Sequence, residues 1–398
     1  MRVLIRDFGV TITEFRVLQR YPVGRLIWTV GAPVLLALAV LLGMAAVSPR
    51  PSTPATVEQG QVASPSDLEA PLAPLTPSEV PTSPAITRPS TGSASHAISI
   101  AFGGDVHGEK QIRRALEAGR QPLAALAPVL SAADLAIVNL ETAVGDGGQA
   151  ADKQHTFLAP RALLAALGGA GVDVVSLANN HSLDYGWTTL RSGLHWLAEA
   201  GLAAVGAGEN AAEAYAPHVV EVRGRRVAVV GLTRVIPRRE WAAGNDRPGV
   251  ASGYDLRTAT AAVRAATAVA DHVVVVVHWG AELANCPDDK QVTLGRALQE
   301  AGADVVVGHH PHVLQGIDHE SGRLIAYSLG NLLWYSTGPA TRLSGVLSVT
   351  LGPEGVVGWQ FHPAIVDPSG APLLAGVEDD SRAHERLTLL PAHPACLA

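Results

Sequence analysis

The feature of this sequence that most restricts its fold is a set of seven short apolar runs, each ending at polar residues. The runs and the residues that follow them are Ile98–Phe102 before Asp105 and His107, Leu135–Val138 before Asn139 and Glu141, Val172–Leu177 before Asn179, Asn180 and His181, Val227–Leu232 before Thr233, Val273–Val277 before His278, Val305–Val307 before His309, His310 and His312, and Leu324–Tyr327 before Gly330 and Asn331. Such runs are typical of buried parallel strands, whose carboxyl ends form the ligand crevice of open α/β sheets. We therefore expect the functional residues along one edge of one sheet.

Helical segments alternate with these runs. Apolar residues recur at helical spacing in Lys110–Ala118, Pro160–Leu167, Trp187–Ala200, Arg257–Ala270 and Gln291–Ala301. This alternation predicts an α/β fold.

The end of the chain has a different pattern. Residues 342–366 predict antiparallel strands around the turn Gly352-Pro353-Glu354-Gly355, so that the sheets are mixed. We expect one globular domain over residues 97–370 and a tail, 371–398. The tail shows no strong pattern and is expected to be partly disordered.

The first hundred residues predict a membrane attachment. Residues 26–47 carry no charge and are long enough to cross a hydrocarbon core of about 30 Å as a helix. Arginines are concentrated before this stretch, which places residues 1–25 in the cytoplasm and the rest outside. A signal peptide cleaved near Ala46-Val47-Ser48 is the alternative. Residues 48–96 are rich in Pro, Ser and Thr, so we expect a disordered linker and a single-pass protein of the cell membrane.

The composition bears on two questions: whether the protein binds nucleic acid, and whether it contains a disulfide. The chain has 398 residues, 47% of them hydrophobic, and a net charge of −7, so it has a large core and no basic face for nucleic acid. Cys286 and Cys396 are the only cysteines. A disulfide between them is possible, but we do not expect it, because a tail cysteine has no evident partner geometry and a chain of this size needs no staple.

Polar residues after several strands suit a divalent metal, since carboxylate, imidazole and carboxamide groups are metal ligands. The candidate ligands are Asp105, His107, Glu141, Asn180, His278, His310 and His312. Any one of these histidines is more often a core or surface residue, but together they predict a site. His310 and His312 flank Pro311, and in an extended loop both imidazoles point to the same side. We expect two ions of Mn, Fe or Zn, bridged by a carboxylate.

A second pair of residues suggests acid–base chemistry. If Asn180 binds a metal, the adjacent His181 points toward the substrate and acts as a general acid for a leaving alkoxide. Asp184 either orients His181 or caps the following helix, and the sequence is consistent with both roles. Alternatively, Asn179 and Asn180 form a turn that caps this helix.

Several of these segments resemble the bacterial capsule-synthesis CapA family, also called the poly-gamma-glutamate synthesis family. The blocks, from about Ile98 to Val366, are GD at 104–105, NLE at 139–141, SLANNHSLDYG at 176–186, VGAG at 205–208, HWG with a following E at 278–282, GHHPHVLQG at 308–316 and YSLGN at 327–331. The resemblance implies a fold similar to calcineurin-like metallophosphoesterases, a layered sandwich with mixed sheets.

The resemblance also implies roles for individual residues. Its D-x-H, N-H, isolated histidine and H-x-H elements correspond to Asp105 with His107, Asn180 with His181, His278, and His310 with His312. Two residues depart from the phosphoesterase pattern. Glu141 stands where the bridging aspartate is usual, and Leu332 replaces an aromatic residue.

Three functions remain open at this point. The first is a membrane-anchored hydrolase, in which two metals activate water against a phosphate ester. The second is a non-catalytic component that holds an anionic polymer such as poly-gamma-glutamate during synthesis or export. The third is a structural domain with relic histidines. The expected partners are a phosphoester or anionic polymer and other membrane subunits of capsule synthesis.

Overall fold

The structure is a computed structural model and describes residues 97–145, 147–335 and 338–396. The predicted cytoplasmic segment 1–25, membrane helix 26–47 and linker 48–96 lie outside these residues. Within the described part of the chain, no helix is both long and apolar enough to cross a bilayer.

The strands follow the apolar runs closely. They are β1 (Ile98–Val106), β2 (Leu135–Leu140), β3 (Ala143–Val144), β4 (Leu158–Ala159), β5 (Val174–Ser176), β6 (Ala203–Val205), β7 (Ala207–Gly208), β8 (His218–Val222), β9 (Arg225–Thr233), β10 (Gly249–Val250), β11 (His272–His278), β12 (Val305–His309), β13 (Ile317–Glu320), β14 (Arg323–Ala326), β15 (Asn331–Leu333), β16 (Leu343–Gly352), β17 (Gly355–Val366) and β18 (Pro372–Leu374).

The helices include the five that the apolar spacing predicts. They are α1 (Lys110–Glu117), α2 (Ala127–Ala132), α3 (Ala162–Gly169), α4 (Gly186–Glu199), α5 (Ala211–Ala214), α6 (Leu256–Thr267), α7 (Asp289–Glu300), α8 (Pro339–Arg342) and α9 (Val377–Leu387), with short 3₁₀ turns at Arg239–Trp241 and Pro394–Cys396.

Two large sheets contain most of the strands. The first has the order β18-β17-β16-β1-β2-β5-β6, with β15 paired to β1, and the second has the order β13-β14-β12-β11-β9-β8. The first sheet is parallel from β1 to β6, whereas β16 to β18 are antiparallel. The second sheet is parallel from β9 to β14, with antiparallel β8 and β13 at its edges. The predicted α/β class with mixed sheets is therefore confirmed.

Side chains alternate between the two faces of each sheet along its strands, and this alternation shows how the layers are stacked. On β1, Ile100 and Phe102 point into a core that also holds Val274 and Val276 of β11, so this core lies between the two sheets. The opposite faces pack against helices, with α1, α3 and α4 on the first sheet and α6 and α7 on the second. The domain is thus a four-layer sandwich of helices, sheet, sheet and helices. Both faces of each sheet are covered, which explains why the runs are almost continuously apolar.

The prediction of functional residues on one edge of one sheet is wrong in one respect. Strands β1, β2 and β5 belong to the first sheet, whereas β11 and β12 belong to the second. Each run carries the same signal of a buried parallel strand, so periodicity alone cannot assign runs to separate sheets. The polar strand ends of both sheets meet at the same end of the sandwich.

The tail has more regular structure than its sequence pattern suggests. Strand β18 pairs with β17, and helix α9 places Ala383 and Leu387 in the core between the sheets. Leu390 packs against the outer core of the second sheet. The expectation of a partly disordered tail is therefore wrong for residues 371–396, because two apolar side chains one helical turn apart are enough to dock a short amphipathic helix.

The expectation of unpaired cysteines is also wrong. Cys286 and Cys396 form a disulfide with a Cα–Cα distance of 5.6 Å. The pairing was not evident from the sequence because the docked tail brings the end of the chain back to the loop that follows β11. The disulfide closes a span of 110 residues and tethers that loop.

Candidate metal centre

The first sheet places oxygen ligands at the end of the sandwich. Asp105 lies near the end of β1, Glu141 follows β2 and Asn180 follows β5. Both carboxylates are fully buried. Gly104 allows β1 to approach β15 closely, since a Cβ atom built there would lie 2.2 Å from the carbonyl oxygen of Gly330. The glycine before Asp105 therefore fixes where the carboxylate enters the site.

The second sheet places imidazoles opposite these oxygens. His278 ends β11, and His310 and His312 follow β12. His310 has a φ of 96° and His312 a φ of 57°. The two rings do converge, with centroids 5.9 Å apart, but through positive-φ backbone rather than through the extended loop that the sequence predicts. Non-glycine residues adopt such angles at a cost of roughly 1–3 kcal/mol and are concentrated at functional sites.

In the part of the chain that the structure describes, two groups of side chains have the spacing needed to hold a metal ion. One consists of Glu141, His310 and His312, and the other of Asp105, Glu141 and His278. In each group the ligand atoms lie within 4.8 Å of one another. The side chains are buried except that of His312, which is 12% exposed. Glu141 is common to both groups, which is the place expected of a carboxylate that bridges two ions.

Glu141 Oε1 gives the most direct test of whether a cation fits. This buried oxygen has no hydrogen-bond partner among the described residues, yet it lies 3.5 Å from His278 Nε2, 3.8 Å from His312 Nε2 and 4.0 Å from His181 Nε2. Atoms that share one ion at bond lengths of about 2.1 Å lie roughly 3–4 Å apart. The buried Nδ1 of His310 is likewise without a partner. The residues therefore fit a metal better than they fit hydrogen bonds among themselves.

The pKa values of the two carboxylates, Glu141 and Asp105, are shifted in opposite directions. Burial raises the pKa of Glu141, and the nearby charge of Asp105 raises it further. Burial also opposes ionisation of Asp105, but hydrogen bonds from His309 and His312 outweigh this and lower its pKa well below the usual value. Asp105 is thus ionised, and a cation between the two groups would favour the ionised form of Glu141 as well.

Burial holds the imidazoles of His278 and His310 in the neutral form. Burial lowers the pKa of His310 to about 3, and the neighbouring His312 contributes to the shift. Burial also lowers the pKa of His278, with His310 as the next cause. Neutral imidazole carries the lone pair that binds a metal.

Hydrogen bonds orient the ring of His312. Its Nδ1 lies 3.0 Å from Asn331 Oδ1 and 3.1 Å from Asp105 Oδ2. Because the Asn331 amide nitrogen donates to the carbonyls of His312 and Thr341, its oxygen is the acceptor. Nδ1 of His312 is therefore the protonated nitrogen, and Nε2 presents its lone pair to the site.

A network of carboxamides supports the first sheet's side of the site. The Asn139 amide donates to Asp105 Oδ1 at 2.9 Å, and its own oxygen accepts from the amide of Asn179. Asn180 Oδ1 lies 2.9 Å from His278 Nε2. The carboxamides thus connect the carboxylate of β1 to the imidazole of β11.

His181 is close to the candidate ligands but is held by a different partner. Its Nδ1 lies 2.6 Å from Asp184 Oδ2, which also accepts from the backbone N–H of Phe157. Burial raises the pKa of Asp184 to about 7. Of the two roles left open for Asp184, the structure shows orientation of His181. Helix α4 has no side-chain cap, so the capping alternatives for Asp184, Asn179 and Asn180 are wrong.

His107 does not join either group, contrary to the sequence prediction. Its Nδ1 lies 3.0 Å from the backbone nitrogen of Glu109, and its Nε2 lies 3.3 Å from that of Tyr335. The ring is stacked on Phe157 and in edge contact with Trp334. Both ring nitrogens face backbone N–H groups, and in this conformation His107 lies outside both groups.

Sequence reasoning missed two supporting residues. His309 places Nδ1 3.0 Å from Asp105 Oδ1, and Lys153 places Nζ 2.5 Å from Asp184 Oδ1. His309 lies in the same His-His-Pro-His run as the predicted ligands, so its proximity could have been inferred. Lys153 has no strand-end position or motif, and only the folded chain brings it to the site.

Comparisons with known proteins agree on one family. The profile described as "Bacterial capsule synthesis protein PGA_cap" matches residues 99–336, more than half of the chain. The capsule biosynthesis protein CapA of Bacillus anthracis is 34% identical over 243 residues, which are 60% of this chain and 59% of that protein. The PGA biosynthesis protein CapA of Bacillus subtilis is 34% identical over 239 residues, 59% of this chain and 62% of that protein. The chain thus spans about three fifths of the length of these relatives.

Solved structures are more distant. A hypothetical protein from Thermus thermophilus covers 67% of this chain and 98% of its own, with 19% identity and a TM-score of 0.44. The sulfate thiohydrolase SoxB of the same organism covers 75% and 61%, with 14% identity and a TM-score of 0.40. At TM-scores this low, neither structure informs the site or the function.

Proposed function

The chain belongs to the bacterial capsule synthesis PGA_cap family, and from this premise we propose that it acts in the synthesis or export of a surface polymer of the poly-gamma-glutamate type. The named relatives from Bacillus anthracis and Bacillus subtilis support this role. We further propose that its site holds two divalent ions and hydrolyses a phosphoester. The observation that carries this second step is the buried, unpartnered Oε1 of Glu141, shared by both ligand groups.

The residues divide the proposed chemistry among themselves. Glu141 links the two groups, Asp105 and His278 complete one, and His310 and His312 complete the other. Divalent ions in such a site polarise a phosphoryl oxygen and activate water. His181, with Nδ1 held by Asp184, presents Nε2 toward Glu141 and is placed to give a proton to the leaving alkoxide. The four-layer sandwich supports the expected likeness to calcineurin-like metallophosphoesterases.

The runner-up is a non-catalytic component that binds an anionic polymer at the same site. The family description favours a role in capsule synthesis without requiring hydrolysis. A largely buried set of imidazoles around two buried carboxylates favours the hydrolase, because burying so many polar groups without a ligand is costly.

We also propose that the domain lies outside the cytoplasm, anchored by residues 26–47. The Cys286–Cys396 disulfide supports an oxidising compartment, since such bonds are rare in the cytosol. A membrane-impermeant protease should digest the domain when it is added to cells whose wall has been removed and whose membrane is intact. Protection of the domain in intact cells, with digestion only after lysis, would contradict this placement.

The test of hydrolysis uses full-length protein in detergent. Bound transition metal is measured, together with turnover of bis(4-nitrophenyl) phosphate and of a phosphomonoester. Glu141→Gln is the test variant, and Glu354→Gln, at the exposed β16–β17 turn, is the matched control. We expect metal and turnover in the wild type and the control, and a reduction of both in Glu141→Gln.

Metal without turnover on either substrate would contradict hydrolysis and favour the polymer-binding component. In that case, cells carrying His181→Ala should make unchanged polymer, while cells lacking the domain should make none. Absence of bound metal from the wild type would contradict the metal centre itself.

A further inference from the structure

Lys153 is a partly buried lysine beside the metal centre, and the proposed chemistry does not use it. It lies in the segment before β4, and its side chain is 17% exposed. Its Nζ lies 2.5 Å from Asp184 Oδ1 and 2.6 Å from the backbone oxygen of Asn180. A buried ammonium costs free energy unless it is paired and hydrogen-bonded, so these contacts account for its position.

Both contacts fall on the short segment that joins β5 to α4. Asn180 presents Oδ1 to His278, and Asp184 holds the ring of His181. A fixed carbonyl at Asn180 sets the direction of the ligand side chain, and a fixed carboxylate at Asp184 sets the plane of the imidazole. One ammonium therefore restrains both the candidate ligand and the proposed general acid.

The surroundings of Nζ argue against direct binding of substrate by this lysine. An ammonium has three N–H donors. Two are directed at Asp184 and the Asn180 carbonyl, and the next polar atom is His181 Nδ1 at 3.3 Å. The ring of Trp241 lies on another side, with its centroid 5.5 Å away. The charge is thus turned toward the Asn180–Asp184 segment.

We propose that Lys153 is a positioning residue that locks the Asn180–Asp184 segment, so that His181 presents Nε2 to the metal centre. This inference rests on the proposed phosphoester hydrolysis for its kinetic consequence. Its structural consequence, the orientation and tautomer of His181, can be measured without turnover. Lys153 acts through Asn180 and Asp184 and does not touch the reacting atoms.

The kinetic test compares two leaving groups in full-length protein. Lys153→Met removes the charge at similar length, and Lys290→Met, on the exposed surface of α7, is the matched control. Loss of a residue that orients a site group typically costs about 10–100-fold. We expect that loss in kcat for an alkyl phosphodiester, which needs a proton on its leaving group, and a much smaller loss for the 4-nitrophenyl ester. KM should stay unchanged, and the control should match the wild type.

Equal losses for the two esters, or a raised KM with unchanged kcat, would overturn the proposal. The first result indicates general disruption, and the second indicates that Lys153 binds substrate directly. Lys153→Gln, which keeps a donor but no charge, serves as a second variant if Lys153→Met does not fold. It should show the same leaving-group dependence in weaker form.

The spectroscopic test is independent of activity. In metal-free wild-type protein labelled with ¹⁵N-histidine, the His181 signals should show a proton on Nδ1, which Asp184 holds, and a single set of sharp resonances. In Lys153→Met or Lys153→Gln these signals should shift or broaden, while those of His218, in the core between the sheets, stay in place. Unchanged His181 signals would overturn the proposal. If the wild type lacks turnover but the signals shift as expected, the proposed hydrolysis fails and the positioning role stands.

Discussion

The two sheets contribute different chemistry to the same site. The first sheet supplies the candidate oxygen ligands, Asp105, Glu141 and Asn180, and the second supplies the candidate imidazole ligands, His278, His310 and His312. Neither sheet contains a complete ligand group, because each group takes atoms from both. The lesson is that the site exists only when the two sheets are packed together, with Glu141 as the connection between its halves.

The two halves are also held in place differently. On the first sheet, the carboxamides of Asn139 and Asn179 fix the ligands through hydrogen bonds between buried side chains. On the second sheet, the loop after β12 has positive φ angles at His310 and His312. The carbonyl of Pro311 in this loop accepts a hydrogen bond from the N–H of Leu283, which lies in the loop that the disulfide tethers. Each mode of support predicts a different response to mutation.

The largest effect is expected at the residue that joins the halves. Glu141→Gln keeps the shape but removes the negative charge shared by both groups. Bridged metal ions contribute several kcal/mol to such reactions, so turnover should fall roughly 10²–10³-fold. Metal analysis of the purified variant should show fewer bound ions per chain than in the wild type. A variant with full metal content would show that Glu141 does not connect the two halves.

Loss of the disulfide should loosen the second half more than the first. Cys396→Ser frees the loop around Cys286 and should cost about 2–4 kcal/mol of unfolding free energy, because the bond closes a long span of chain. Hydrogen exchange should rise in residues 281–288 and 309–312 and stay unchanged in residues 103–107. Denaturant unfolding measures the stability change. An equal rise in exchange at both halves would remove the distinction between their supports.

Removing a side chain that orients one ligand should weaken metal binding at one of the two ligand groups more than at the other. Asn331→Ala takes away one of the two acceptors at His312 Nδ1 and leaves Asp105 Oδ2 as the other. The expected loss is about 10-fold in affinity for the ion bound by Glu141, His310 and His312, since outer partners of metal-bound histidines have effects of about 10–100-fold. Calorimetric titration with Zn²⁺ should then resolve two unequal steps. Uniform weakening of both steps would argue against two separable groups.

The smallest effect is expected at the opposite end of the sandwich. Arg223, between β8 and β9, pairs with Asp134, just before β2, at 2.8 Å and so links the two sheets away from the site. Burial alone would raise the pKa of Asp134, but hydrogen bonds from Arg223 and Ser99 lower it below 3.8. Because the pKa is lowered in the folded protein, the pair stabilises it above pH 3.8, and this contribution disappears as the pH falls through the folded pKa.

Arg223→Ala should therefore lower the free energy of unfolding by about 0.2–1 kcal/mol at neutral pH and leave it unchanged in strong acid. Metal content should be unchanged, because the change lies far from the ligands. Thermal unfolding of both proteins across pH measures the difference. A loss that persists at pH 2 would mean that the pair acts through packing rather than charge.

Much of this arrangement could be predicted from the sequence. The apolar runs form the strands, and Asp105, Glu141, Asn180, His278, His310 and His312 meet at one site because the carboxyl ends of the parallel strands of both sheets lie at the same end of the sandwich. Local periodicity carries no information on which sheet a strand joins, so the division into two sheets was not predictable.

Contacts made only in the folded chain account for the other errors. His107 has the spacing of a ligand, but its ring nitrogens face the backbone of Glu109 and Tyr335, which is set by tertiary packing. The Cys286–Cys396 pairing depends on how α9 docks, and Lys153 reaches Asp184 from a segment without regular structure. Long-range contacts of this kind leave no signature in a single sequence.

The most direct test is a crystal structure of Mn²⁺-soaked protein with anomalous scattering measured at the manganese edge. We predict two anomalous peaks, both within about 2.5 Å of a Glu141 carboxylate oxygen, one also beside Asp105 and His278 and the other beside His310 and His312. A single peak, or peaks that do not touch Glu141, would contradict a centre shared between the two sheets.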